Sequence, residues 1–331
     1  MRRWLVLVAG LGVMGGCGRT DAGPDTAPGP VEPTPAATVS TPPAPARASG
    51  EGTAEALMQL AFPGWSKSRP SVVRMKPVSR EAEEQDAAPW VKVTPALRIP
   101  LAEDRIVLLV AGRPSTDEGV DQAGHASPAN LGAYWFRREA GGWRLAASQA
   151  SFVWTGFFGE PGELHPVKLS SRRQGVAVSN GSCWQGQCGE WLSVFEIGDG
   201  RVTPLLGGQD APQIVSDVSG ATEACSALLA AGPGSHRVEA DAYSDAYGCF
   251  TVKGEWLVRP GDDAPGELEI RFSGHQASAA SQAPAETSAP APQGDGAMRD
   301  VSVSPVSETV VYRFRNGRYE LASGRNPAPS F

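Results

Sequence analysis

The sequence predicts a mainly β domain built from antiparallel sheets, sandwich- or barrel-like, with one short N-terminal helix. Three observations carry that expectation. From residue 71 onward, short runs rich in β-branched and aromatic residues recur between Gly, Pro and Asp clusters. Turn signals of hairpin type separate several of these runs, above all Asn316-Gly317 between Phe314 and Tyr319. No sustained alternation of strand with helix appears, which argues against a doubly wound α/β fold and its nucleotide crevice.

The helix opens at T-A-E-A-L-M-Q-L-A-F-P. Thr53 can cap it, Ala54, Leu57, Met58 and Ala61 share one face, and Pro63 stops it. Strands are expected at 71–76, 105–111, 133–138, 143–148, 175–179, 191–197, 249–259, 267–272, 309–314 and 318–322. Gly198-Asp199-Gly200 and Glu139-Ala140-Gly141-Gly142 are looser hairpin signals than Asn316-Gly317. Residues 274–297 are Ala/Ser/Pro-rich and polar, and read as a disordered excursion between strands whose removal leaves stability almost unchanged. The folded part is taken as 53–331, in one piece or as halves of about 53–206 and 207–331.

The first residues, M-R-R-W-L-V-L-V-A-G-L-G-V-M-G-G-C, place two arginines before an apolar run and small residues before Cys17. By composition this is an export signal, too short in its apolar part for the ~20 residues that cross a bilayer. Met14-Gly15-Gly16-Cys17 resembles the lipobox of bacterial lipoproteins, although Met14 stands where that family more often has Leu. The resemblance covers residues 1–17. It implies a signal peptide at 1–16, lipid attachment at Cys17, membrane association through the acyl chains and, with Gly18 rather than Asp after the cysteine, the outer membrane, periplasmic side. From Cys17 to residue 52 the chain has eight prolines and no aromatic residue. Such a segment reads as an extended tether, on the order of 100 Å long at full stretch.

The formal charge is -7, and loss of Arg2 and Arg3 with the signal makes it -9. With no basic stripe, nucleic acid is excluded as a partner. Apart from Cys17, four cysteines remain: Cys183, Cys188, Cys225 and Cys249. An even count in an oxidising compartment reads as disulfides, and four cysteines allow three pairings. Short loops close at the lowest entropy cost, which favours Cys183 with Cys188 and Cys225 with Cys249. Their spacing lacks the short knuckles of structural zinc, and no C-x-x-C redox motif occurs.

No catalytic, phosphate-binding or dinucleotide motif is found, so no catalytic residue, metal ligand or cofactor is assigned. His125, His165, His236 and His275 read as isolated loop residues. Adjacent Ser235 and His236 are badly placed to hydrogen-bond each other. Glu239, Asp241 and Asp245 could gather around a hard cation, but they also fit the wet face of a strand. Aromatics collect in F-V-W-T-G-F-F-G at 152–159 and around Trp184 and Trp191, suiting either a core or a platform for a sugar or protein. Trp184, carried on the 183–188 loop, is the aromatic expected to face outward.

These readings lead to an expected non-catalytic binding module in the cell envelope, with an envelope protein or a cell-wall component as partner. The alternatives are an envelope hydrolase acting on glycan or peptide, and an inhibitor or immunity protein against a wall-degrading enzyme.

Overall fold

The computed structural model describes residues 52–75, 90–239, 248–279 and 298–330. The leader, Cys17, the tether up to residue 51, Asp241, Asp245 and residues 280–297 lie outside the described residues. The described part is mainly β, and its named strands pair antiparallel throughout.

Helix α1 (Ala54–Ala61) forms where the sequence places it, with the Thr53 hydroxyl accepting from the Ala56 N–H. Its buried face, Leu57, Met58 and Leu60, lies on a five-stranded sheet in the order β1 (Val72–Arg74), β2 (Trp90–Ala102), β3 (Arg105–Ser115), β4 (Ala129–Glu139), β5 (Gly142–Thr155). Strand β3 shows how this sheet is covered on both faces. Ile106, Leu108 and Val110 join the helix-side core, while Val107 and Leu109 join the core shared with the second sheet. A strand buried on both sides loses its alternation and becomes the continuous run R-I-V-L-L-V-A.

The second sheet is formed by β6 (Glu163–Lys168), β7 (Gln174–Trp184), β8 (Gln187–Ile197), β9 (Val202–Leu206), β10 (Gln213–Asp217), β11 (Gly234–Glu239), β12 (Cys249–Arg259), β13 (Glu267–Ala279), β14 (Met298–Arg315) and β15 (Arg318–Ser323). Its main path runs β11-β14-β13-β12-β10-β8-β7-β6, with β15 on β14 and β9 on β8. The sheet curls as a half-barrel. The Leu169 carbonyl at the end of β6 accepts from Gly261 and Gly266, which lie between β12 and β13. One face encloses Leu192, Val194, Ile214, Val252, Leu268, Ile270, Phe272 and Val310, and the other sets Val176, Val178, Phe195 and Ile197 against the first sheet. A second helix, α2 (Glu223–Ala230), buries Cys225, Leu228 and Leu229 against Phe250, Val301 and Val303.

Several expectations need correction. Among the described residues there is a second helix, α2, in addition to the N-terminal one. Thr222 caps it by accepting from the Cys225 N–H, but its eight residues, small or apolar after Glu223, give too little periodicity to announce it. The break between the two sheets falls between Thr155 and Glu163, and β8 pairs with both β9 and β10. Strand β13 continues to Ala279, paired with Val301, so its polar Gly274–Ser278 stretch is ladder and not excursion. His165, His236 and His275 stand on β6, β11 and β13 rather than in loops. Strand β2 went unpredicted because of its prolines, and its register shifts next to both Pro95 and Pro100, where a missing N–H is tolerated.

Candidate functional site

The expected pairing of cysteines is present: Cys183–Cys188 and Cys225–Cys249 are both disulfides. Two structural disulfides place the domain in an oxidising, extracytoplasmic compartment. No helix among the described residues is long and apolar enough to cross a membrane.

Trp184 stands at the tip of the β7–β8 hairpin and is 60 % exposed. Gln185 and Gly186, which follow it, both have positive φ, 51° and 80°. That pair of left-handed residues makes a type I′ turn, whose twist matches the strands it joins. Gly186 is also needed for close approach, since a Cβ there would lie 2.2 Å from the Gly220 carbonyl oxygen. One step below the tip, Cys183 and Cys188 are register partners 4.0 Å apart at Cα. The indole is therefore carried on a cross-linked hairpin that rests on the segment leading into α2.

Beside it a second aromatic turns outward. Phe158 is 50 % exposed and has φ 54°, a conformation costing a non-glycine residue roughly 1–2 kcal/mol. Its backbone is held from several directions: its N–H donates to the His125 carbonyl at 3.0 Å, and the neighbouring Gly159 N–H donates to the Ser127 carbonyl at 2.7 Å. Arg113 on β3 donates to the Phe158 carbonyl at 2.6 Å, to Asp121 at 2.8 Å and to Glu160 at 2.7 Å. The Asp121 hydrogen bond foremost raises the pKa of this guanidinium. Asp121 is held below the ordinary carboxylate range, first by the Ala123 N–H and then by Arg113.

His125 joins the two turns. Its ring centroid lies 4.6 Å from Phe158, edge-on, and 4.8 Å from Trp184, tilted. Phe157 lies 6.1 Å from His125 and 6.3 Å from Trp191, continuing the aromatic row inward. The His125 Nε2 is 2.7 Å from the Ser182 Oγ. Among the described residues no carboxylate pairs with His125, so the serine–histidine pair lacks the third group that orients the imidazole of a hydrolase.

Two loops, 116–128 and 156–160, and the hairpin tip 183–188 thus build one aromatic surface at one end of the β domain. The sequence pointed to Trp184 and to the 152–159 cluster but missed His125, which is brought to them by chain folding alone. The 152–159 stretch is divided: Phe152 packs on Phe195 in the core, 5.2 Å apart, while Phe157 and Phe158 belong to the surface. The other candidates do not gather. His236 Nε2 is 2.8 Å from the Gly232 carbonyl oxygen instead of Ser235, and among the described residues no group of His, Cys, Asp or Glu could hold a metal ion.

The opposite end differs. There Gly52, whose carbonyl accepts from Arg98 at 2.8 Å, lines one cavity with Glu103, Arg138 and Trp143. Gly52 also lies against Trp143 and Ile106 so closely that a Cβ would meet both below 3.0 Å. The chain therefore enters the domain at one end of β3 and builds the aromatic surface at the other, about 35 Å away for eleven residues of strand.

The fold and site define a disulfide-stapled, mainly antiparallel β protein with a rigid aromatic surface at one end. No family model, no curated protein and no solved structure matches the chain.

Proposed function

We propose that this is an outer-membrane lipoprotein anchored through Cys17, and that its β domain is a non-catalytic binding module of the cell envelope whose contact surface is the aromatic end. The observation that carries the reading is the exposure of Trp184 and Phe158 on supports that do not need to fold on binding: a cross-linked hairpin and a turn fixed by Arg113. Rigid, exposed aromatics lose little entropy on contact, which is why they dominate binding hot spots. The two disulfides support the address, and the lipobox resemblance supplies the anchor.

The test is in-cell cross-linking of the lipidated protein, with a Cys17→Ala control and a Trp184→Ala variant, followed by mass spectrometry of what is captured. A dominant protein or cell-wall fragment that depends on both residues is the expected result. Capture indifferent to Trp184 overturns the assignment of the surface.

The Ser182–His125 pair supports a second reading, an envelope hydrolase. Covalent labelling of Ser182 by a fluorophosphonate, abolished in Ser182→Ala and His125→Ala, is its signature; an unlabelled wild-type protein removes it.

A further inference from the structure

The charge around the aromatic surface narrows what can sit on it. Four chain segments meet there: 116–128, 155–163 and 179–191, joined through His125, and 216–224, on which Gly186 rests. Together they contain Asp117, Glu118, Asp121, Glu160, Glu163, Glu190, Asp217 and Glu223, and not one Lys or Arg. Glu163 has the His165 Nε2 3.3 Å away. The cations that touch the four segments come from neighbouring strands. Arg113 is already engaged by Asp121 and Glu160, and Lys92 has its Cε beside Gly119. Asp117, Glu118, Glu163 and Glu223 are exposed. By contrast the chain-entry end is mixed in charge: Arg98, Arg105, Arg137, Arg138 and Arg144 stand among Glu103, Asp104, Glu139 and Asp199, and Arg105 and Arg144 pair with the last three of these. The acidic character is therefore local to the aromatic end and is more than the share that a chain of net charge -7 spreads over its whole surface.

Resting on the binding-module reading, we infer that the occupant of this surface is a cationic polypeptide segment, with a Lys or Arg side chain stacked on Trp184 or Phe158 and further basic residues facing the carboxylates of the four segments. The indole face attracts a cation through its quadrupole, and the surrounding carboxylates remove the penalty that a like-charged rim would impose. An anionic ligand meets the reverse: the four segments offer it no Lys or Arg, Arg113 is already engaged, and the exposed Asp117, Glu118 and Glu223 repel it. A neutral glycan could use the aromatic planes, but it gains nothing from the charge. A cationic segment is the occupant that uses both features of the surface.

The experiment is a titration of the purified domain, residues 45–331 with disulfides intact, followed by tryptophan fluorescence and calorimetry. The probes are a blocked peptide of alternating Arg and Gly, its Glu/Gly counterpart and a neutral chitin oligosaccharide. We expect the Arg/Gly peptide to bind, the Glu/Gly peptide not to bind, and affinity to fall several-fold when salt rises from about 0.05 to about 0.5 M. Trp184→Ala should weaken binding roughly tenfold, and the exposed pair Asp117→Lys with Glu118→Lys at least as much. Circular dichroism of each variant separates lost contact from lost fold. If the oligosaccharide binds in a Trp184-dependent way and the Arg/Gly peptide does not, the cationic occupant is wrong while the binding surface stands. If peptide binding survives both sets of substitutions, the inference is overturned. Should no probe bind while in-cell capture still depends on Trp184, the occupant is not a basic segment; should that capture also be lost, the binding-module reading fails with it.

Discussion

The two disulfides look alike in sequence and differ in what they hold. Cys225–Cys249 spans 24 residues and ties α2 to β12 inside a core cluster, with its cysteines 6 % and 1 % exposed. Cys183–Cys188 spans five, lies at the rim, and closes a hairpin that its type I′ turn and ladder already define. By chain entropy the longer loop contributes about 3.5 kcal/mol and the shorter about 2. The first bridge thus serves folding, and the second serves the direction in which one indole points.

The largest effect that tests this comparison is on stability. Replacing Cys225 and Cys249 by Ala should cost roughly 3–5 kcal/mol in urea unfolding, because the packing around α2 is lost with the loop constraint. The same change at Cys183 and Cys188 should cost about 2 kcal/mol or less and leave the core intact, but it should weaken the binding proposed for Trp184. Alkylation under mild reductant should find the rim pair first. Equal costs, or equal rates of reduction, would erase the distinction.

A smaller effect compares two glycines of the same turn type. Gly317 has φ 84° with nothing near its missing Cβ, whereas Gly186 has φ 80° and the Gly220 carbonyl against it. Gly317→Ala should cost about 1 kcal/mol, the left-handed penalty alone. Gly186→Ala should cost about 1 kcal/mol more and shift the emission of Trp184, because the hairpin must lift from its rest. Identical costs would show that the hairpin is not seated on the 216–224 segment.

The smallest effect is on pH. The folded state holds the Asp121 carboxyl below its ordinary 3.8, first through the Ala123 N–H and then through Arg113. A depressed folded pKa means that this contribution is present above the unfolded value and is lost as pH falls through the folded one. Acidification below about pH 4 should therefore loosen the loop carrying His125 before the domain unfolds. Asp121→Asn should remove that acid-sensitive step, as read from amide exchange of residues 121–127.

Much of the fold was legible because its local chemistry was unambiguous. Strand β12 has the predicted limits, 249–259, and Asn316-Gly317 forms a turn with φ 52° and 84°. The signals failed where tertiary context overrode local rules. Pro95 and Pro100 hid β2, although both sit at register shifts where their missing N–H costs little. Pro166 and Pro204 likewise mask β6, which ends the sheet path, and β9, which lies off it. For the site, Trp184 could be found because Gln185-Gly186 and the flanking cysteines fix its position locally. His125 could not, since 57 residues of chain separate it from Ser182 and only the packing of two loops and a hairpin tip joins them.

The placement of Gly52 and Trp184 at opposite ends of the strands has a mechanical consequence. In the proposed anchored protein, a partner held by the aromatic end and a membrane holding Cys17 pull the domain along the strand direction of the first sheet. The first sheet and the sheet that carries Trp184 share no ladder, so such a load must also cross the side-chain core between them, Val107 and Leu109 against Val176, Val178 and Phe195. The packing between the two sheets is then what its two attachments would stretch.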